Sequence, residues 1–129
     1  MIDVVAAIIK KDNKYLIGKR SYTGSLPGKW EFPGGKVKTA ETNENALIRE
    51  IAEELGVFVQ PGHKVGTVDH FGEEKAIRLI GYEVDAFIGD IENIEHEEIR
   101  WVDPCEFDFY DFGEADKKLI DLIFSAECV

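Results

Sequence analysis

The stretch from Thr42 to Gly56 constrains this chain most. Thr42 is a good N-cap, because its hydroxyl can accept from an early helical N–H, and Glu44 complements the positive end of the first turn. Gly56 is the residue expected just past a helix C-terminus. The segment between them therefore predicts a helix ending near Leu55. At ~100° per residue, Leu47, Ile51 and Leu55 fill one arc, while Glu50, Glu53 and Glu54 share a neighbouring arc roughly 100° wide. Arg49 stands four residues before Glu53, on the other flank. Such a helix must lay its apolar stripe on another layer while presenting three carboxylates beside it.

The rest of the chain supplies that layer. Ile2 to Ile9 is an apolar, β-branched run that reads as a buried strand. Lys10 to Lys14 reads as a turn, and Tyr15 to Arg20 as the returning strand. Residues 21–29 read as a loop. Trp30-Glu31-Phe32 reads as a short strand, ended by a turn at Pro33-Gly34-Gly35. Pro61-Gly62 is expected to close the connection after the helix. Residues 65–71 and 76–88 read as strands, 89–98 as an acidic loop, and Ile99 to Val102 as a last strand stopped by Asp103-Pro104. Residues 114–125 carry helical periodicity, with Ala115, Leu119, Leu122, Ile123 and Phe124 on one face. No repeat, low-complexity tract or linker interrupts the pattern. Residues 1–129 read as a single α/β domain with helices packed on a mixed sheet.

Composition narrows the function. A chain of 129 residues with 44% hydrophobic content can bury a core without staples. No run of about 18 apolar residues exists, and the start Met1-Ile2-Asp3-Val4-Val5 lacks the regions of a signal peptide. Cys105 and Cys128 are too few for a disulfide framework, and they read as reduced thiols in a cytoplasmic protein. The net charge of −11 disfavours a nucleic-acid backbone as partner. It either serves solubility alone or includes carboxylates that hold divalent cations. His63, His70 and His96 show no zinc spacing and read as ordinary surface or hydrogen-bonded residues.

Clustered carboxylates on a helix cost stability, and a hard cation such as Mg²⁺ takes oxygen ligands of this kind. Taken alone, Glu-x-x-Glu-Glu also describes a solvated acidic face. The context decides between these readings. Gly35 is followed after five residues by Glu41, and after seven more by Arg49-Glu50-Ile51-Ala52-Glu53-Glu54-Leu55-Gly56-Val57. This resembles the signature of the Nudix hydrolase family at every defined position, a match with a chance probability on the order of 10⁻⁹ at a given start. Val4 to Arg20, Trp30 to Val37, Glu95 to Val102 and Ala115-Asp116 also resemble the triphosphate-hydrolysing subgroup of MutT-type sanitising enzymes and CTP pyrophosphohydrolases.

The resemblance implies an α/β/α sandwich, its mixed sheet flanked by the box helix and a C-terminal helix. It implies hydrolysis of a nucleoside triphosphate to a monophosphate and pyrophosphate, dependent on Mg²⁺ with Mn²⁺ as a substitute. Glu53, Glu54 and Glu50 would be metal ligands, joined by the Gly34 carbonyl. Arg49 would orient a neighbouring carboxylate, and Glu41 would hold the loop closed. The general base would be a box glutamate or a carboxylate before Trp101, with Glu95 best placed and Glu97 and Glu98 as rivals. Arg20 and Lys36 are candidates for phosphate binding; Arg20 reads equally as a plain surface residue. Phe32 and Phe71 are candidates for base stacking or plain core. Asp116 matches a position where MutT-type enzymes carry Asn and CTP-hydrolysing relatives carry Asp; an Asp accepts from an exocyclic amino group, and the resemblance tilts toward cytosine nucleotides and away from 8-oxoguanine. The expected partner is a small nucleotide, with no membrane or nucleic acid, for a monomer or homodimer. The alternatives are another nucleoside diphosphate derivative (ADP-ribose, a nucleotide sugar or a dinucleoside polyphosphate) and a non-catalytic nucleotide-binding module.

Overall fold

The computed structural model describes residues 1–125. β1 (Ile2–Ile8) lies inside a mixed four-stranded sheet, flanked by β5 (Gly34–Lys36) and β7 (Ala76–Ile88), with β6 (Phe58–Phe71) at the edge. β1 runs parallel to β7 and antiparallel to β5. A second sheet is built on β3 (Lys14–Lys19), which pairs antiparallel with β2 (Lys10–Lys11), β4 (Trp30–Glu31) and β8 (Glu98–Val102). The β2–β3 hairpin turns at Asp12 and Asn13, both at positive φ as a two-residue primed turn requires.

The continuous apolar run of β1 has a simple cause: both of its faces are covered. Val5, Ala7 and Ile9 pack with Ala46, Leu47, Ile51 and Leu55 of helix α1 (Asn43–Leu55). Ala6 and Ile8 face the other way, into a cluster with Leu119 and Phe124 of helix α2 (Glu114–Phe124). The two helices thus sandwich the sheet, as the α/β/α expectation requires. Thr42 caps α1 by accepting from the Asn45 N–H, and Gly56 closes it in the left-handed region. A 3₁₀ helix (Pro104–Phe109) follows β8, with Asp103 as its cap.

Several local expectations are corrected. Pro61-Gly62 does not end a connection. It lies inside β6, where the register to β7 shifts between Gln60 and Gly66, so the irregularity is absorbed as a bulge. Gly34-Gly35 is a strand segment paired with Ala6 and Val5, not a turn. Leu122 is exposed, while Ala115, Leu119 and Phe124 carry the buried face of α2. Cys105 is disulfide-bonded, so the reading of reduced thiols fails for it; Cys128 lies outside the described residues. Among the described residues, no helix is long and apolar enough to cross a membrane.

The close approach of β5 to β1 demands glycine at position 34, because a Cβ there would lie 1.9 Å from the Val5 carbonyl oxygen. Gly34→Ala is expected to cost at least ~2 kcal/mol of stability in urea unfolding, since backbone must move to admit the methyl group. A cost under ~0.5 kcal/mol would show that the strands have room to part.

Candidate active site

The loop between β5 and α1 is fastened to the helix by Arg49. Its guanidinium donates to both oxygens of Glu41, at 2.8 and 2.9 Å, and to the Lys36 carbonyl at 3.0 Å. A further N–H donates to Glu50 at 2.8 Å, and Glu53 lies 3.5 Å away. Glu41 also accepts from the Lys38 N–H. The Arg49 hydrogen bonds, with that of Lys38, hold the Glu41 carboxyl down at about 2, and Glu41 in turn raises Arg49. This planar fork aims Glu50 and ties down the loop without touching the cavities.

Glu50 is mostly buried and lies across the bare Cα of Gly35, where a Cβ would come 2.3 Å from its carboxyl carbon. Glu53 is half exposed. Glu54 is only 2% exposed, and its Oε2 is buried with no hydrogen-bond partner among the described residues. Burial first, then the negative charges of Glu31, Glu50 and Glu95, pushes the Glu54 carboxyl up to about 10. An ionised Glu54 in this place needs a positive partner.

That partner fits a divalent cation. Glu54 offers an orphaned oxygen, Glu50 stands beside it, and the donor set is carboxylates on one rigid helix face. Glu50, Glu53 and Glu54, with the Gly34 carbonyl, are the groups on this face that would hold it. A cavity of about 200 Å³ opens over Glu54 and Glu50, and Arg20, Glu31, Gly34, Glu95 and His96 also line it. Glu95 is the acidic-loop residue that reaches this lining; Glu97 and Glu98 do not.

Arg20, Glu31 and Gly34 are shared with a larger cavity of about 630 Å³. This one is walled by Phe32, Lys36, Leu26, His70, Lys75 and Asp116, among others. Phe32 is 3% exposed and packs against Phe107, Phe112 and Phe124, so it is both core and wall. Asp116 accepts from the Phe32 N–H at 3.1 Å. Burial, with the charge of Glu31, pushes its carboxyl up to about 7, although the Phe32 N–H and Arg20 oppose this. Phe71 is not brought to the cavity. It is 72% exposed, and its neighbours His70 and Gly72 line the wall, as alternation along a strand dictates.

Two residues join the site that the sequence reading left out. Glu31 sits between Trp30 and Phe32, which both enter the α2-side core. Strand alternation therefore turns Glu31 to the α1 side, a signal the sequence did carry. Arg20 donates to Glu31 at 2.8 Å, and the His96 Nε2 lies 2.9 Å from its other oxygen. His96 is hydrogen-bonded as expected, but inside the site and not on an ordinary surface.

The site sets helix carboxylates that would hold a cation beside a cavity of about 630 Å³. The NUDIX domain model matches residues 4–122, and the chain belongs to this family of divalent-metal-dependent hydrolases of phosphoanhydride bonds. It is 37% identical to the CTP pyrophosphohydrolase of Escherichia coli over 94% of this chain and 90% of that one. It is 36% identical to the putative 8-oxo-dGTP diphosphatase 2 of Mycobacterium tuberculosis, over 88% of this chain and 82% of the relative. The solution structure of the E. coli ORF135 protein superposes with a TM-score of 0.88 at 35% identity, covering 98% of this chain and 91% of that one.

Glu54 has a pH signature. Its folded value near 10 lies above the ordinary 4.5, so its contribution to stability is complete below about 4.5 and is lost as pH rises toward 10. Asp116, raised from 3.8 to about 7, acts in the same sense. Without divalent cation, the thermal midpoint is expected to fall by several degrees between about pH 5 and about pH 9. A midpoint that stays level or rises in melts with chelator would contradict this assignment.

Proposed function

We propose that this protein hydrolyses nucleoside triphosphates to the monophosphate and pyrophosphate, with Mg²⁺ as its ion and Mn²⁺ as a substitute. The observation that carries the reading is the junction of the two cavities at Arg20, Glu31 and Gly34. A nucleoside in the larger cavity would extend its phosphates over Glu50 and Glu54. The bound ion would supply charge neutralisation of the phosphates and of the departing pyrophosphate.

The chain's own groups do the rest. Arg20 spends three of its five N–H donors on Glu31, the Ser25 carbonyl and the Ser25 hydroxyl. The remaining two are free for a phosphate oxygen. Lys36 brings a second positive charge to the larger cavity. Glu95, exposed in the acidic loop, is our choice to take the proton of the attacking water. The water oxygen bonds to phosphorus, the bridging P–O bond breaks, and pyrophosphate leaves.

Asp116 would read the base. Its second oxygen is an acceptor for an exocyclic amino group, which cytosine and guanine bear and uracil lacks. The names of the relatives, CTP pyrophosphohydrolase and 8-oxo-dGTP diphosphatase, agree with a base of this kind.

A panel of canonical and oxidised triphosphates, with ADP-ribose alongside, tests the proposal by pyrophosphate release. CTP is expected to exceed UTP in kcat/KM by at least ~10-fold, and Asp116→Ala to bring that ratio within about threefold. Glu53→Gln is expected to lower kcat/KM by at least ~100-fold. If no nucleotide releases pyrophosphate, or ADP-ribose is cleaved in preference, the reading fails.

A further inference from the structure

His96 lies outside the box helix, and its ring is buried. Its backbone N–H donates to the Asn93 side chain at 3.0 Å. Its ring occupies the space over Gly18 of β3, where a Cβ would come 2.5 Å from the ring. The side chain is 4% exposed. Nδ1 is buried without a partner among the described residues, and Nε2 is the nitrogen presented to the carboxylates. Nε2 lies 2.9 Å from Glu31 and 3.6 Å from Glu54. Arg20 occupies the other oxygen of Glu31. One ligand atom from each of Glu31, Glu54 and His96 falls within 4.8 Å of the other two.

This trio differs in chemistry from the box ligands. Glu50, Glu53 and the Gly34 carbonyl offer oxygen alone, which suits Mg²⁺. An imidazole beside two carboxylates admits divalent transition ions more readily than it does Mg²⁺, with Co²⁺ and Zn²⁺ ahead of Mn²⁺. Glu54 faces His96 through Oε1, and its other oxygen, Oε2, on a residue only 2% exposed, has no hydrogen-bond partner among the described residues. The hydrogen bond between His96 and Glu31 leaves the Glu54 carboxylate unserved; a cation among the three ligand atoms would serve it.

We propose that Glu31, Glu54 and His96 form a second cation position, adjoining the box site through Glu54, that takes Mn²⁺, Co²⁺ or Zn²⁺ through an imidazole nitrogen. It rests on the box reading only in sharing Glu54. The position gives the site an ion preference that all-oxygen ligation does not have. It also ties the cation directly to Arg20 through Glu31.

The test uses the full chain and Mn²⁺ alone, without nucleotide, read by pulsed electron paramagnetic resonance. Wild-type protein titrated with Mn²⁺ is expected to show the coupling of a directly bonded ¹⁴N nucleus. His96→Gln should abolish that coupling, while His63→Gln and His70→Gln keep it. Glu31→Gln should weaken the nitrogen-ligated Mn²⁺ class at least ~10-fold. Absence of ¹⁴N coupling in the wild type, or its persistence in His96→Gln, overturns the proposal. If His96→Gln does not fold, the wild-type spectrum with the other two histidine variants decides alone: coupling that survives in both supports the proposal, and coupling lost in either overturns it. Glu53→Gln separates the two readings. It should weaken the nitrogen-free Mn²⁺ class and spare the ¹⁴N signal; if that class is unchanged while the signal survives, the box assignment fails and this one stands.

Discussion

Glu54 carries a carboxyl group into a place where it is only 2% exposed, against the negative charges of Glu31, Glu50 and Glu95. Ordinary cores exclude such a group or pair it with a cation. Here the pairing is incomplete: among the described residues one oxygen has no partner, and His96 Nε2 sits 3.6 Å from the other. The surrounding architecture holds this buried carboxyl group, which resists ionisation, in position for a divalent ion. Stability given up at a binding site is a common consequence of building function into a fold.

The scaffold for that charge is rigid by construction. Leu47, Ile51 and Leu55 anchor α1 to β1 with no exposure at all, so the helix cannot rotate its carboxylates away from one another. Arg49 and Glu41 lock the preceding loop to the same helix. Gly34 and Gly35 let that loop's backbone approach both β1 and Glu50 more closely than any side chain would allow. The phosphate end of the site therefore rests on two elements whose relative position is fixed by packing. The nucleoside end is bounded instead by loops and strand ends, with Leu26 held at a positive φ of 49° in the segment that Arg20 fastens.

The box helix and its caps were legible to the residue, because capping and apolar periodicity are local signals. Thr42, Leu55 and Gly56 fall where the sequence places them. The depth of Glu54 was legible only in part: on the wheel it lies next to Leu47, which foretells burial, but its lack of a partner is a tertiary fact. Pro61-Gly62 misled because a bulged strand and a turn use the same residues. Phe71 misled because which face of β6 lines the cavity depends on register with β7, and a shift of one residue reverses it. Glu31 and His96 went unread for a related reason. Their meeting requires β4 and the acidic loop, 65 residues apart in sequence, to flank the same strand, β3. The disulfide at Cys105 could not be inferred from two cysteines.

The central question is whether Glu54 is a liability that a cation relieves. Thermal melts of wild type and Glu54→Gln, each with chelator and with Mg²⁺ at about pH 8, address this directly. The account predicts that the variant melts higher than wild type in chelator, by about 3 °C or more. It also predicts that Mg²⁺ raises the wild type by several degrees and the variant by less than about a third of that. A variant that melts lower than wild type in chelator and gains the same shift from Mg²⁺ would contradict it.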